Sequence, residues 1–266
     1  MGIMVGKKGI IMGVANEKSL AWGIAQALAE QGAQMAFSYQ SEIFLMRVKP
    51  LAESIGNVEL LECDVSDDQS LEALFKKLGE KFGKIDFIVH AIAFSDKNEL
   101  TGKYVNTSRS NFLNTMDVSC YSLTSVCRHA SDYLADNASI LTLTYLGAER
   151  VMPNYNMMGV AKAALEASIK YLAVDFGARG IRVNGLSAGP VRTLASAGID
   201  DFRYILKWNQ YNAPLKRNIT LEDVGGTAVF LLSDLASGVT GEIVHTDGGY
   251  HVVGMKAVDA PDISVV

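Results

Sequence analysis

The sequence predicts an α/β fold: a doubly wound parallel sheet of about seven strands with helices on both faces. Three observations carry this. Short runs rich in β-formers alternate with longer stretches of helical periodicity from end to end. The 266 residues are 49% hydrophobic and 20% charged, which supplies a large core and excludes disorder. No Pro/Gly/Ser-rich linker, repeat or low-complexity tract divides the chain, so residues 1–266 are expected to form a single domain.

The strand runs, each short, apolar and bounded by polar or turn residues, are Gly9–Gly13, Gln34–Tyr39, Val58–Cys63, Ile85–His90, Ser139–Thr144, Ile181–Leu186 and Glu242–His245. Between them, Ser19–Gln31, Asp67–Phe82, Asn111–Leu134, Tyr155–Ala178 and Leu221–Leu232 carry apolar residues at helical spacing, with Gly32, Gly83 and Gly180 as stops. This is βαβ order. Such units wind right-handedly and place ligands beyond the strand C-termini, so the residues just after each strand are where function is expected. One stretch, about 188–217, breaks the pattern: punctuated by Gly and Pro, it carries an aromatic patch from Phe202 to Trp208. It reads as an excursion covering a ligand or as a plain surface insertion.

Charge and composition exclude several classes. There are 24 Lys+Arg against 29 Asp+Glu, net −5, with no basic block, which argues against a nucleic-acid or anionic-membrane partner. Cys63, Cys120 and Cys127 are odd in number, form no C-x-x-C pair and sit in apolar runs, as buried thiols in a reducing cytoplasm do. His90, His129, His245 and His251 match no metal-ligand spacing, so no metal is expected. No apolar run approaches the ~18 residues of a membrane span, and the N-terminus lacks the order of a targeting signal. The protein is expected to begin near Met1, and to be soluble and cytoplasmic.

After the first strand, Gly13 opens a turn that feeds a helix at Ser19. Either the helix N-terminus receives a pyrophosphate, or this is a turn with Ser19 as N-cap; the spacing is not G-x-G-x-x-G. The second strand ends at Gln40, where a Rossmann-type sheet reads an adenosine ribose. A neutral amide can bond a hydroxyl but cannot neutralise a 2′-phosphate, which favours NADH over NADPH. Asp64-Val65 follows the third strand, either addressing the adenine edge or, through Asp64, capping the next helix. Ala91-Ile92-Ala93 follows the fourth, with side chains small enough for close passage of a dinucleotide.

Tyr145 lies just beyond the fifth strand, and Tyr155 and Lys162 stand seven positions apart on the next helix. That spacing is two turns, roughly 10 Å along one face. A buried tyrosine with a snorkelling lysine is one reading. The other is a site: a sheet-facing lysine without an acid beside it implies a ligand bearing oxygens. Met152, Met157 and Met158 offer either deformable apolar surface for a ligand or core packing.

Through Gly13-Val-Ala with Ser19-Leu20-Ala21, Gln40, Asp64-Val65, His90-Ala-Ile92-Ala-Phe94, the Tyr145/Tyr155/Lys162 spacing, Ser187 to Ala195 and Thr246-Asp-Gly-Gly249, the chain resembles the short-chain dehydrogenase/reductase superfamily. Within it, it is similar over essentially its whole length to the bacterial enoyl-[acyl-carrier-protein] reductases. The resemblance implies that Gly13, Ser19, Leu20, Gln40, Asp64, Val65, Ile92, Lys162, Val191, Arg192, Thr193, Leu194 and Ala195 contact NADH/NAD. It implies that Tyr145 and Tyr155 line the acyl site, with Ser95 at its mouth, and that Tyr145, Tyr155 and Lys162 are the catalytic set. It further implies an enoyl thioester on acyl carrier protein as substrate, and a homotetramer built on the helices near 111–134 and 155–178 with the C-terminal segment near a further interface.

Carbonyl-reducing members of the superfamily use Tyr-x-x-x-Lys, whose tyrosine would fall at Met158, which cannot donate a proton. Here the tyrosine is one turn earlier, about 5 Å farther along the helix. That suits an enoyl thioester, whose negative charge develops on an oxygen two carbons from the hydride acceptor. Lys162 beside Tyr155 is expected to lower the phenol pKa. Arg203, Lys207, Lys216 and Arg217 are candidates for docking the acidic carrier protein or are ordinary solvated charges, and Asp200-Asp201 dilutes them. Three rival readings are a carbonyl or alcohol dehydrogenase, a non-catalytic dinucleotide sensor, and a serine hydrolase using Ser187 in Gly185-Leu-Ser-Ala-Gly189 with His245 or His251.

Overall fold

The computed structural model describes residues 2–56, 58–193 and 202–263. Met1, the cofactor candidates Leu194 and Ala195, and Asp200-Asp201 lie outside the described residues. Strands β1 (Lys8–Met12), β2 (Gln34–Tyr39), β3 (Glu59–Glu62), β4 (Ile85–His90), β5 (Leu134–Thr144), β6 (Arg182–Ala188) and β7 (Ile243–Thr246) form one sheet in the order β3-β2-β1-β4-β5-β6-β7. Every pairing is parallel. A parallel sheet is covered on both faces, so its central strands read as continuous apolar runs. Neighbouring residues serve opposite sides: Ile11, Val89 and Leu141 join one core, and Ile10, Ile88 and Ile140 the other.

The first core is closed by α1 (Leu20–Glu30), α2 (Glu42–Ser54) and α8 (Leu221–Leu232), the second by α3 (Asp68–Phe82), α5 (Ser122–Ala130) and α6 (Asn156–Gly177). Strand order reverses between β1 and β4, paired Met12 to His90, which makes their C-terminal ends the topological switch point.

The structure differs from the sequence expectation at four places. Helix α2 is absent from the sequence expectation: Pro50 lies inside it and only Val48 and Ala52 are buried, which leaves almost no apolar stripe. The helix expected over 111–134 is broken into α4 (Arg109–Met116), a π-helical turn (Asp117–Tyr121) and α5. It ends early, and β5 already begins at Leu134, passing through Asn137 at φ 64° before its register settles. The excursion contains a helix of its own, α7 (Phe202–Asn212).

The π-turn has a tertiary cause. Ser119 Oγ accepts from the Phe94 amide and donates to the Phe94 carbonyl, both at 2.8 Å. Ser122 Oγ donates to Val118 O at 2.7 Å and pairs with His90 Nε2 at 2.9 Å, while His90 Nδ1 meets Thr142 Oγ1 at 2.9 Å. The extra residue in the turn thereby ties the helix to the loop after β4 and to β5.

Candidate active site

Because every strand runs the same way, the residues singled out in the sequence collect along one edge. Gly13 follows β1, Gln40 follows β2, Asp64 and Val65 come just after β3, Ile92 after β4, Tyr145 after β5, and Val191, Arg192 and Thr193 after β6. Gly13 has φ 101°, and a Cβ there would collide with the Ala91 carbonyl oxygen. Two loops pass back to back at the switch point, and only glycine fits. Ser19 occupies the N-cap position of α1, but its hydroxyl donates to Asn16 O at 2.6 Å and makes no capping bond. The first amides of α1 are left to a ligand or water.

At the adenosine end, Gln40 Nε2 donates to Asp64 Oδ2 at 3.1 Å. Asp64 Oδ1 accepts from the Ser66 hydroxyl at 2.7 Å and amide at 3.0 Å, and these bonds, the hydroxyl's first, hold its carboxyl below the usual range. The cap of α3 is Asp67, which accepts from the Gln69 amide at 2.9 Å, so the capping alternative for Asp64 falls away. A carboxylate behind a neutral amide suits ribose hydroxyls and repels a 2′-phosphate.

Lys162 is buried, 6% exposed, and its Nζ donates to the Leu143 carbonyl at 2.7 Å. An ammonium has three donors, so two remain for ribose oxygens. Desolvation lowers its pKa to about 8, against the opposing fields of Cys120 and Glu166. The expectation of a lysine without an acid beside it is thus corrected, because Glu166 stands one helical turn on. Gly13, the uncapped α1, the Gln40/Asp64 pair and the spare donors of Lys162 together fit a nicotinamide dinucleotide.

Tyr155 sits at the N-cap position of α6, and its ring meets that of Tyr145 edge-on, centroids 5.0 Å apart and planes at 72°. Two glycines permit this. A Cβ on Gly147 would strike Tyr155 Cδ1, and one on Gly159 would lie 2.8 Å from Gly147 O. Neither glycine was singled out in the sequence, since the need for them arises only when the turn after β5 folds onto α6. Leu100, Tyr155 and Met158 form a small buried cluster against which Tyr145 and Met152 pack.

Burial raises the pKa of both phenols, with Tyr145 and then Glu166 adding for Tyr155, and Tyr250 and then Asp247 for Tyr145. This overturns the expected lowering by Lys162: desolvation outweighs the ammonium's field. Both hydroxyls therefore keep their protons in the neutral range and can donate.

A largely apolar pocket of about 220 Å³ opens beside Tyr145, walled by Met152, Ser187 to Pro190, Asp247 and Tyr250, and covered by Tyr204, Ile205 and Trp208 of α7. Trp208 Nε1 donates to Tyr250 Oη at 2.8 Å, tying the cover to the turn after β7. Of the three methionines, Met152 faces this space, whereas Met157 is fully buried. Ser95, half-buried, accepts from Thr115 Oγ1 at 2.9 Å. Ser187 lies inside β6, paired with Thr144 and His245, and Pro190 follows. No strand-to-helix elbow forms, which removes the hydrolase reading.

A doubly wound seven-stranded sheet with a tyrosine pair and a buried lysine beyond its fifth strand defines the short-chain dehydrogenase/reductase class. The family model described as enoyl-(acyl carrier protein) reductase matches residues 13–251. The chain is 64% identical over 265 residues to enoyl-[acyl-carrier-protein] reductase [NADH] 1 of Rhizobium meliloti, covering 100% of this chain and 97% of that protein. It superposes with TM-score 0.94 on the Anaplasma phagocytophilum reductase crystallised with NAD, 61% identical, covering 98% of each chain. The Bacillus cereus reductase, in complex with NADP+ and an indole naphthyridinone, gives TM-score 0.94 at 49% identity over 96% of this chain and 100% of that one. The chain belongs to the enoyl-(acyl carrier protein) reductase family.

Proposed function

We propose that the protein reduces trans-2-enoyl thioesters carried on acyl carrier protein, with NADH as reductant. The observation that carries this is the edge-on Tyr145/Tyr155 pair, Tyr145 lining an apolar pocket and Tyr155 packed against it, with the non-donating Met158 where a carbonyl reductase would hold its acid. NADH, when bound, would supply a hydride for the substrate β-carbon, and a proton taken up at the α-carbon would complete the saturated thioester. Lys162 anchors ribose hydroxyls, Gln40 and Asp64 the adenosine end, and Gly13, Ser19, Leu20, Val65, Ile92 and Val191 to Thr193 line the remainder. Tyr155 donates to the thioester oxygen as it becomes enolate-like, worth several kcal/mol where water is excluded, roughly 3 for one such donor. Tyr145 orients the thioester, Met152 and the α7 aromatics hold the acyl chain, and Ser95 stands at the mouth.

Residues 1–266 then act as one catalytic domain, with 188–217 as its substrate-covering excursion. Among the docking candidates, Lys216 pairs with Asp259 at 3.0 Å and Arg217 Nη2 donates to Asp223 at 2.9 Å, which leaves Arg203 and Lys207 on the covering helix as the carrier-protein contacts. A homotetramer is supported by exposed Leu113 and Tyr121 near α4 and α5, Tyr171 and Val174 on α6, and Val252 and Met255 toward the C-terminus. A cytoplasmic location is supported by free, buried Cys63, Cys120 and Cys127, and among the described residues no helix is long and apolar enough to cross a membrane.

The test is NADH oxidation with a trans-2-enoyl thioester and a matched 3-oxoacyl thioester side by side. Turnover of the enoyl substrate alone is expected; turnover of the 3-oxo substrate alone would return the protein to carbonyl chemistry, and silence on both would favour a dinucleotide sensor.

A further inference from the structure

The two rings are carried by different elements, Tyr145 just after β5 and Tyr155 at the N-cap of α6. Their separation is therefore set by how α6 lies against the last residues of β5. Two side chains of α6, one turn apart, reach consecutive residues of that strand end. Lys162 Nζ donates to Leu143 O at 2.7 Å, and Glu166 Oε1 accepts from Thr144 Oγ1 at 2.6 Å. The residue after Thr144 is Tyr145 itself.

The two bonds differ in what else is asked of them. On the functional reading given above, Lys162 is shared with a ribose, and its bond to Leu143 is one of several demands on three donors. Glu166 has no such duty. It is half-buried on the flank of α6, with Glu149, His245, Lys170 and, one turn back, Lys162 as its charged surroundings. Its bond to Thr144 is charge-assisted and short, the kind that fixes geometry when partly withdrawn from water.

We propose that Glu166 is a positioning residue for the reductase reaction: by holding the Thr144 hydroxyl it locks the end of β5 to α6 and so fixes Tyr145 against Tyr155, independently of the cofactor. It touches neither substrate nor cofactor and acts through Thr144. The inference rests on the tyrosine pair being the reacting site.

The test compares Thr144→Val, Glu166→Leu and Glu166→Gln with the wild-type protein, reading kcat and KM on a trans-2-enoyl thioester, the Kd for NADH, and Tm. Thr144→Val and Glu166→Leu are each expected to lower kcat about tenfold, as small misplacements of reacting groups do, with NADH Kd held within about twofold. Glu166→Gln keeps an acceptor for the hydroxyl and is expected to recover most of that loss, and combining Thr144→Val with Glu166→Leu should cost no more than either alone. If Glu166→Gln fell as far as Glu166→Leu, the charge and not the bond would matter and the proposal would fail. Unchanged kcat in folded Thr144→Val would overturn it equally, while a wild-type protein inert on the enoyl thioester would fail the functional reading instead.

Discussion

Lys162 and Tyr155 were legible as residues because a seven-position spacing is a property of the helix alone. What their environment does to them was not, because burial is tertiary. Lys162 is charged in both the folded and the unfolded chain below about 8, whereas between about 8 and its ordinary 10.5 the folded protein has released the proton that the unfolded chain still holds. NADH affinity is accordingly expected to fall as pH rises through 8, while the cofactor-free protein gains stability from this group over the same window. Fluorescence titration of NADH across that range, with Lys162→Met showing weak and pH-flat binding, checks the first statement, and urea midpoints of the cofactor-free wild type and Lys162→Met across the same range check the second. Gly147→Ala places a methyl against Tyr155 Cδ1, and overpacking of this kind costs about 1–3 kcal/mol. Tm and kcat should drop together, and a full kcat would mean that the ring pair tolerates displacement.

Elements that announce themselves by burial were read within a residue or two: β2 and β4 have the bounds their patterns suggest, and α8 also. Elements made by contact were not. The π-turn exists because Ser119 and Ser122 answer the loop after β4 and His90, none of which is near in sequence. His90 is fully buried, and desolvation followed by the field of Lys162 lowers its pKa from 6.5 to about 3. Between those values the unfolded chain takes up a proton that the folded one refuses, so this group's contribution is complete above 6.5 and is lost as pH falls toward 3. Urea midpoints of wild type and His90→Gln over that interval should differ in slope by about one proton. For α7, the Trp208–Tyr250 bond predicts that Trp208→Phe raises KM for a long-chain enoyl substrate several-fold, about 1 kcal/mol for one neutral hydrogen bond, with NADH Kd unmoved. An unchanged KM would show that α7 is held by packing alone.

For the whole molecule, the strand order and the gathering of the loops on one edge follow from βαβ alternation and handedness, which is why so much of the site could be placed from sequence. The joints between layers could not. Arg182 is buried in β6 and donates to Leu231 O at 2.7 Å and Ser233 O at 3.0 Å, closing the C-terminal end of α8. Arg182→Leu should destabilise the fold by about 2 kcal/mol, because it removes two charge-assisted bonds and leaves Leu231 O to Ser139 Oγ and Ser233 O to the Ala236 amide; chemical denaturation with activity retained in the folded fraction checks it.

The helix that carries Lys162 and Glu166 on its inner side exposes Val160, Tyr171 and Val174, set roughly 120–180° round its circumference. In the proposed homotetramer, one rod is thus asked to be both a bench for the chemistry and a wall shared with a neighbour. A subunit leaving that wall would loosen the bench, so specific activity should decline on dilution and return on reconcentration, with a lag that lengthens as the protein becomes scarcer.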